Sequence, residues 1–72
     1  MIWIKGTTGW VLDTGNLYII IEKYDNWSMS CSDIGIPHKM LPVPADATSE
    51  QAQAAAIHIV KQRVLGILQV LL

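Results

Sequence analysis

The apolar residues of the chain follow two different repeats, a short one in the first half and a longer one in the last third. Residues 2–4 (IWI) and 10–12 (WVL) are short runs of β-branched, aromatic and leucine side chains. A turn signal follows each run, GTTG at residues 6–9 and DTGN at residues 13–16, because glycine, asparagine and aspartate tolerate the backbone conformations of tight turns. These runs predict two short strands.

Residues 17–24 (LYIIIEKY) form the strongest strand signal in the chain. β-branched and aromatic side chains favour the pleated backbone. Because successive side chains point to opposite faces of a strand, apolar residues fall on both faces of this one. That pattern is typical of a central strand covered on both sides. The following Asp25-Asn26 predicts a tight hairpin turn.

The hairpin leads into WSMSCS at residues 27–32, in which apolar and polar residues alternate. This alternation predicts a further strand. One face carries the apolar side chains Trp27, Met29 and Cys31, and the other carries Ser28, Ser30 and Ser32. The row of serines is either a solvated sheet surface or a contact surface for the polar groups of a partner.

Catalysis by Cys31 or by one of the serines would need a base held within hydrogen-bond reach by a third group. His38, His58 and Asp33 are the available candidates, and no spacing joins them into a known arrangement. A cysteine on the apolar face of a strand behaves as a small hydrophobe. Two histidines and one cysteine scattered along the chain also fail to predict a metal site. We expect no enzyme activity, no metal and no cofactor.

Residues 35–47 lose any regular repeat and contain Pro37, Pro42 and Pro44. Proline blocks a continuous helix and restricts the residue before it, so we expect an irregular connection here. His38 and Lys39 in the middle of this connection are predicted to be exposed. They serve either as solvated loop residues or as contacts with a partner.

Thr48-Ser49-Glu50-Gln51 fits a capping box and predicts a helix over residues 48–72. At about 100° per residue, one apolar stripe of this helix packs on the sheet. Ile59 and Val70, with Ala52, widen the apolar arc beyond what a sheet face needs. Either the irregular connection covers this extra flank, or a second copy of the chain does. In the second case Ile59, Arg63 and Val70 form the dimer interface.

Together these segments predict one α+β domain over residues 1–72. A small antiparallel sheet of three or four strands occupies residues 1–34, an irregular connection follows at 35–47, and one long C-terminal helix packs on the sheet.

Composition narrows the possible functions. The chain has 72 residues, of which 51% are hydrophobic and 15% are charged, an apolar balance that points to surface reserved for another chain. The formal net charge of −1 provides no basic excess for nucleic-acid phosphates. The single cysteine excludes an internal disulfide, and the N-terminus lacks the features of a signal peptide. We expect a cytoplasmic protein.

The apolar C-terminal run VLGILQVLL is too short to span a bilayer, so we expect no membrane anchor.

The order of these segments resembles the N-terminal module of HicB-type antitoxins and small phage proteins of similar layout. The resemblance rests on the strand at residues 18–24, the strand at 27–31, the segment Asp33-Ile34-Gly35, and TSEQA at 48–52 leading into an alanine-rich helix. The proline-containing segment 36–44 departs from that pattern. The resemblance implies a protein that binds and covers another protein, with no catalytic residue.

These observations predict a small non-enzymatic inhibitor or adaptor of phage or mobile-element origin, which acts as a homodimer on a host defence or toxin protein. The alternative is a nucleic-acid-binding module that stacks bases on aromatic residues of the sheet. Seven residues are predicted to bind the partner: Trp3, Trp10, Ser28, Ser30, Ser32, His38 and Lys39.

Overall fold

The computed structural model describes residues 2–71, which form one antiparallel sheet, a short 3₁₀ turn and one α-helix. The predicted α+β class is confirmed, and the sheet has five strands in place of three or four. The strands follow one another in chain order, each antiparallel to the next. The elements are β1 (Ile4–Lys5), β2 (Gly9–Asp13), β3 (Tyr18–Lys23), β4 (Trp27–Cys31), the 3₁₀ turn (Ser32–Ile34), β5 (Ile36–Met40) and α1 (Ser49–Leu71).

Strand β5 lies where we expected the irregular connection, so that expectation is wrong for residues 36–40. It pairs with β4 through Met40 opposite Ser28 and Ile36 opposite Cys31, and a register shift interrupts the ladder between these pairs. An edge strand with an irregularity tolerates Pro37, because proline lacks only the backbone N–H donor and an edge leaves half of these donors unpaired. The proline reduced the strand signal in the sequence without preventing the strand.

The core lies on one face of the sheet, which we call the helix face because α1 covers it. Strands β2 to β4 contribute large side chains that are almost fully buried, and α1 contributes small ones. The small alanines allow the helix backbone to lie close to the sheet. The buried core consists of Leu12, Ile19, Ile21, Trp27, Met29, Cys31, Leu41, Ala47, Ala52, Ala56 and Val60.

The segment between β5 and α1 folds back over β4. The indole Nε1 of Trp27 donates a hydrogen bond of 3.0 Å to the carbonyl oxygen of Ala47. The amide of Leu41 donates to the carbonyl oxygen of Trp27 at 3.0 Å. These bonds satisfy polar groups that the core would otherwise bury without a partner, and they fix where α1 begins.

The opposite face of the sheet, which we call the open face, has no helix over it in residues 2–71. Strand β3 is central in the sheet, as predicted, but only its helix face is covered. Ile20 and Val11 lie side by side on the open face and are partly exposed. Tyr18 at one end of β3 is 48% exposed.

Helix α1 begins at the predicted capping box. The hydroxyl of Thr48 accepts a hydrogen bond of 3.2 Å from the amide of Gln51, and the side chain of Gln51 accepts one of 2.9 Å from the amide of Thr48. These two bonds satisfy amides that the first turn leaves without a helical partner.

The apolar stripe of α1 packs on the sheet only in the first part of the helix. The buried helical residues are Ala52, Ala56 and Val60. The helix has 23 residues. It is about 35 Å long, close to the longest dimension of the molecule, 39 Å, whereas the other two dimensions are 24 Å and 19 Å. The apolar stripe was expected to pack on the sheet, but residues 65–71 are exposed, and we call them the overhanging end of α1.

Candidate protein-binding groove

A groove of about 810 Å³ lies between strand β5 and the second half of α1. One wall is the edge of the sheet and the other is the side of the helix that continues the buried stripe. The lining residues are Gly35, Ile36, Pro37, His38 and Lys39 from the sheet edge, and Ile59, Gln62, Arg63, Gly66, Ile67 and Val70 from the helix.

Arg63 joins the two walls at one end of the groove, next to Gly35. The Nε of Arg63 donates a hydrogen bond of 2.9 Å to the carbonyl oxygen of Ile34. Gly35 ends the 3₁₀ turn in the left-handed conformation, with φ of 77°. A Cβ atom at Gly35 would lie 3.0 Å from an Nη atom of Arg63, so a side chain there would be both strained and crowded. Glycine at position 35 thus allows the chain to turn into β5 beneath the arginine.

The groove combines apolar walls with positive charge. Ile36, Ile59, Ile67 and Val70 supply branched apolar side chains, while Lys39 and Arg63 supply cations. No aspartate or glutamate is among the lining residues. The guanidinium of Arg63 keeps its terminal nitrogens for further bonds, because its bond to Ile34 uses only Nε. Such a surface attracts negative charge. Covering its apolar side chains with apolar groups of a partner also stabilises the complex.

The groove brings together residues that the sequence analysis assigned to two separate surfaces. His38 and Lys39 were predicted to contact a partner, and Ile59, Arg63 and Val70 were predicted to form a dimer interface. All five line the same groove. No partner contact was predicted for the other six lining residues, Gly35, Ile36, Pro37, Gln62, Gly66 and Ile67. The helical spacing of residues 59, 63, 66, 67 and 70 places them on one side of α1 and was the available signal.

The two predicted tryptophans lie away from the groove. Trp10 is opposite Ile21 on the helix face of β2, and Lys5 Nζ lies 5.9 Å from the centre of its ring. Trp3 and Trp10 are partly buried and pack against the core. Trp27 is buried altogether. The tryptophans thus contribute to packing, and the exposed aromatic residues are Tyr18 on β3 and Tyr24 directly after it.

The three serines have different surroundings. Ser28 is only 4% exposed, on the open face between Glu22 of β3 and Met40 of β5. Ser30 lies next to Ile20 and is partly exposed, and Ser32 is exposed in the 3₁₀ turn. A shallow pocket of about 250 Å³ reaches Ser28 and is lined by Tyr24, Asp25, Asn26, Ser28, His38 and Met40.

Cys31 is a core residue, as predicted from its place in the alternating strand, and is 1% exposed. Burial raises the pKa of its thiol, and the negative charge of Asp33 raises the pKa further. The thiolate is the reactive form of cysteine, so both effects oppose a nucleophilic role. Asp33 itself accepts a hydrogen bond of 2.9 Å from the amide of Tyr18. Across residues 2–71, no group of three or more His, Cys, Asp or Glu side chains is placed to hold a metal ion.

Helix α1 meets the length and composition criteria for a membrane-crossing helix, with a mean hydropathy of 1.3 over its most apolar window. Core helices of proteins without any membrane contact meet the same criteria. Only 11% of that window is buried, so most of the apolar surface of α1 faces outward.

Comparisons of the chain with protein-family models, with curated proteins and with solved structures gave no match.

Proposed function

We propose that this protein is a small non-enzymatic binding protein, an inhibitor or adaptor that acts by covering part of another protein. The observation that carries the proposal is the overhanging end of α1. Leu71 and Val70 there are 76% and 86% exposed, and three more large apolar residues are exposed beside them. Monomeric proteins rarely leave contiguous apolar surface of this kind uncovered, and larger patches mark sites of association.

The overhanging end offers two different surfaces on opposite sides of the helix. At about 100° per residue, Ile67 and Val70 continue the buried stripe and face the groove. Leu65 and Leu68 lie on the outer side and are 51% and 47% exposed. The two sides of the helix allow one contact with a second copy and another with a target.

We assign the outer side, Leu65 and Leu68, to self-association and the groove to the target. A second copy docking its own overhanging end in the groove would bring no carboxylate side chain, because residues 61–71 contain neither aspartate nor glutamate. It would leave Lys39 and Arg63 without a partner for their charge. Outer leucines of two copies can instead pack against each other, and Lys61 on the same side, one turn before Leu65, can keep its ammonium group in water at the edge of that contact. This assignment moves the proposed dimer contact away from Ile59, Arg63 and Val70.

The biological setting is proposed from the sequence alone. The resemblance to the HicB-type module favours an inhibitor from a phage or mobile element that acts on a host defence or toxin protein. The groove supports the binding part of this proposal, because its lining is apolar and cationic.

The test is the solution mass of matched variants, measured by light scattering after size exclusion across a dilution series. We expect a dimer for the natural sequence and a monomer for Leu65→Glu with Leu68→Glu. Ile67→Glu with Val70→Glu places the same charge on the groove side and should leave the dimer intact. Circular dichroism checks that both variants keep the helix.

Two outcomes would count against the proposal in different ways. If the natural sequence is a monomer at every concentration, the proposed homodimer is ruled out. A dimer lost only in Ile67→Glu with Val70→Glu would keep the homodimer and move its contact into the groove.

A further inference from the structure

We infer that the β5–α1 groove binds an acidic, apolar segment of a partner protein. This inference rests on the proposed function, because it specifies the chemistry of the target that the groove receives. Three features of the groove support it: its charge, the pattern of its apolar walls, and the properties of the β5 edge.

The charge of the groove differs in sign from that of the whole chain. The chain carries a formal net charge of −1. Lys39 and Arg63 nevertheless line the groove without any carboxylate among the lining residues, and His38 lies next to Lys39. A partner carboxylate near these cations would form charge-assisted hydrogen bonds, and the Arg63 terminal nitrogens suit a carboxylate especially well. Charge complementarity of this kind sets specificity and accelerates association.

The apolar walls require apolar side chains on the same segment. Ile36 on one wall faces Ile59, Ile67 and Val70 on the other. The helical wall extends from residue 59 to residue 70, a length of about 16 Å at 1.5 Å per residue. A partner segment of about three helical turns would match this length, with its apolar residues between the walls and its carboxylates toward Lys39 and Arg63.

The edge of β5 opposes the most common alternative, addition of a partner strand to the sheet. Strand β5 contains Pro37 and Lys39, and a register shift interrupts its pairing with β4. Proline, bulges and lysine are the features by which proteins prevent a further strand from pairing with a sheet edge. The partner segment is therefore held by its side chains, with few backbone hydrogen bonds.

The test uses a displayed library of random twelve-residue peptides, selected on three immobilised forms of the full chain. These are the natural sequence, Lys39→Glu in the groove, and Lys5→Glu at the opposite edge of the sheet, which makes the same change in net charge. We expect peptides from the natural sequence and from Lys5→Glu to be enriched at least two-fold in aspartate and glutamate over the unselected library. Peptides from Lys39→Glu should lose that enrichment.

Fluorescence anisotropy with one synthetic selected peptide gives the quantitative result. Lys39→Glu should raise its dissociation constant at least ten-fold, and Lys5→Glu should change it less than two-fold. Raising sodium chloride from 50 to 500 mM should also weaken binding, because exposed charge pairs are screened by salt. Ile67→Ser removes one apolar side chain from the helical wall without adding charge, and it should weaken binding at least five-fold.

The possible failures separate the inference from the proposed function. Selected peptides that lack acidic residues but lose affinity in Ile67→Ser would overturn the acidic partner and keep the groove as a binding site. Peptides that bind Ile67→Ser and Lys39→Glu as tightly as they bind the natural sequence would overturn both the acidic partner and the groove as a binding site. A selection that enriches no peptide would do the same. A dimer that dissociates in Lys39→Glu would show that a second copy occupies the groove, which also overturns the inference.

Discussion

At the scale of single residues, the structure gives Cys31 and Asp33 structural roles. Cys31 packs in the core beside Met29 on the helix face. Asp33 bonds the amide of Tyr18 and thereby joins the 3₁₀ turn to the start of β3. The alternation of residues 27–32 was enough to predict that Cys31 is buried. It could not predict the bond of Asp33, because that bond joins residues 15 positions apart.

Burial of Cys31 makes stability depend on pH in the alkaline range. Because the folded-state pKa of the thiol is raised, the unfolded chain releases this proton at lower pH than the folded chain does. The free energy of unfolding should fall as pH rises above about 8.5, the ordinary thiol value, by at most about 1.4 kcal/mol per pH unit. Urea unfolding of the natural sequence and of Cys31→Ala between pH 7 and 9.5 measures the effect. Equal pH slopes for the two proteins would contradict it.

At the scale of secondary-structure elements, the capping box and the strand pairing determine where each element begins. Sequence predicted the start of α1 correctly because the capping box is a local motif. The sequence predicted too few strands in the sheet, because residues 36–40 form a strand only through their pairing with β4. Gly9 on β2 likewise depends on the neighbouring strand, because β3 approaches it closely. A Cβ atom there would overlap the carbonyl oxygen of Ile21 on β3.

Replacing glycines in β2 and in α1 should have opposite effects on stability. Gly9→Ala should lower the free energy of unfolding by at least about 2 kcal/mol, because strands β2 and β3 must separate to admit the methyl group. Gly66→Ala should raise it by about 0.5–1 kcal/mol, because a Cβ atom at Gly66 meets open space and alanine favours a helix. Chemical denaturation measures both values. A stability loss in Gly66→Ala, or none in Gly9→Ala, would be inconsistent with this packing.

At the scale of the whole molecule, burial divides α1 into a packed part and an overhanging end. The packed part is fixed by Ala52, Ala56 and Val60. The overhanging end, residues 65–71, is about 10 Å long and exposed throughout.

The boundary between the two parts of α1 predicts how tolerance to charge changes along the helix. Val60 is 6% exposed and Val70 is 86% exposed. Val60→Asp should cost at least about 3 kcal/mol or unfold the protein, because it buries a charge without a partner. Val70→Asp should change stability by less than about 0.5 kcal/mol. Thermal unfolding followed by circular dichroism compares the two. Similar losses in both variants would mean that the overhanging end is part of the core.

Local patterns in the chain were sufficient to predict the α+β class, the central place of β3, the faces of β4 and the start of α1. Each of these depends on a periodicity or a motif within a few neighbouring residues. Three features became known from the folded molecule: residues 36–40 join the sheet, residues 65–71 of α1 are exposed, and His38 and Lys39 share one groove with Ile59, Arg63 and Val70. These features depend on contacts between residues distant in the chain, and no local pattern encodes such contacts.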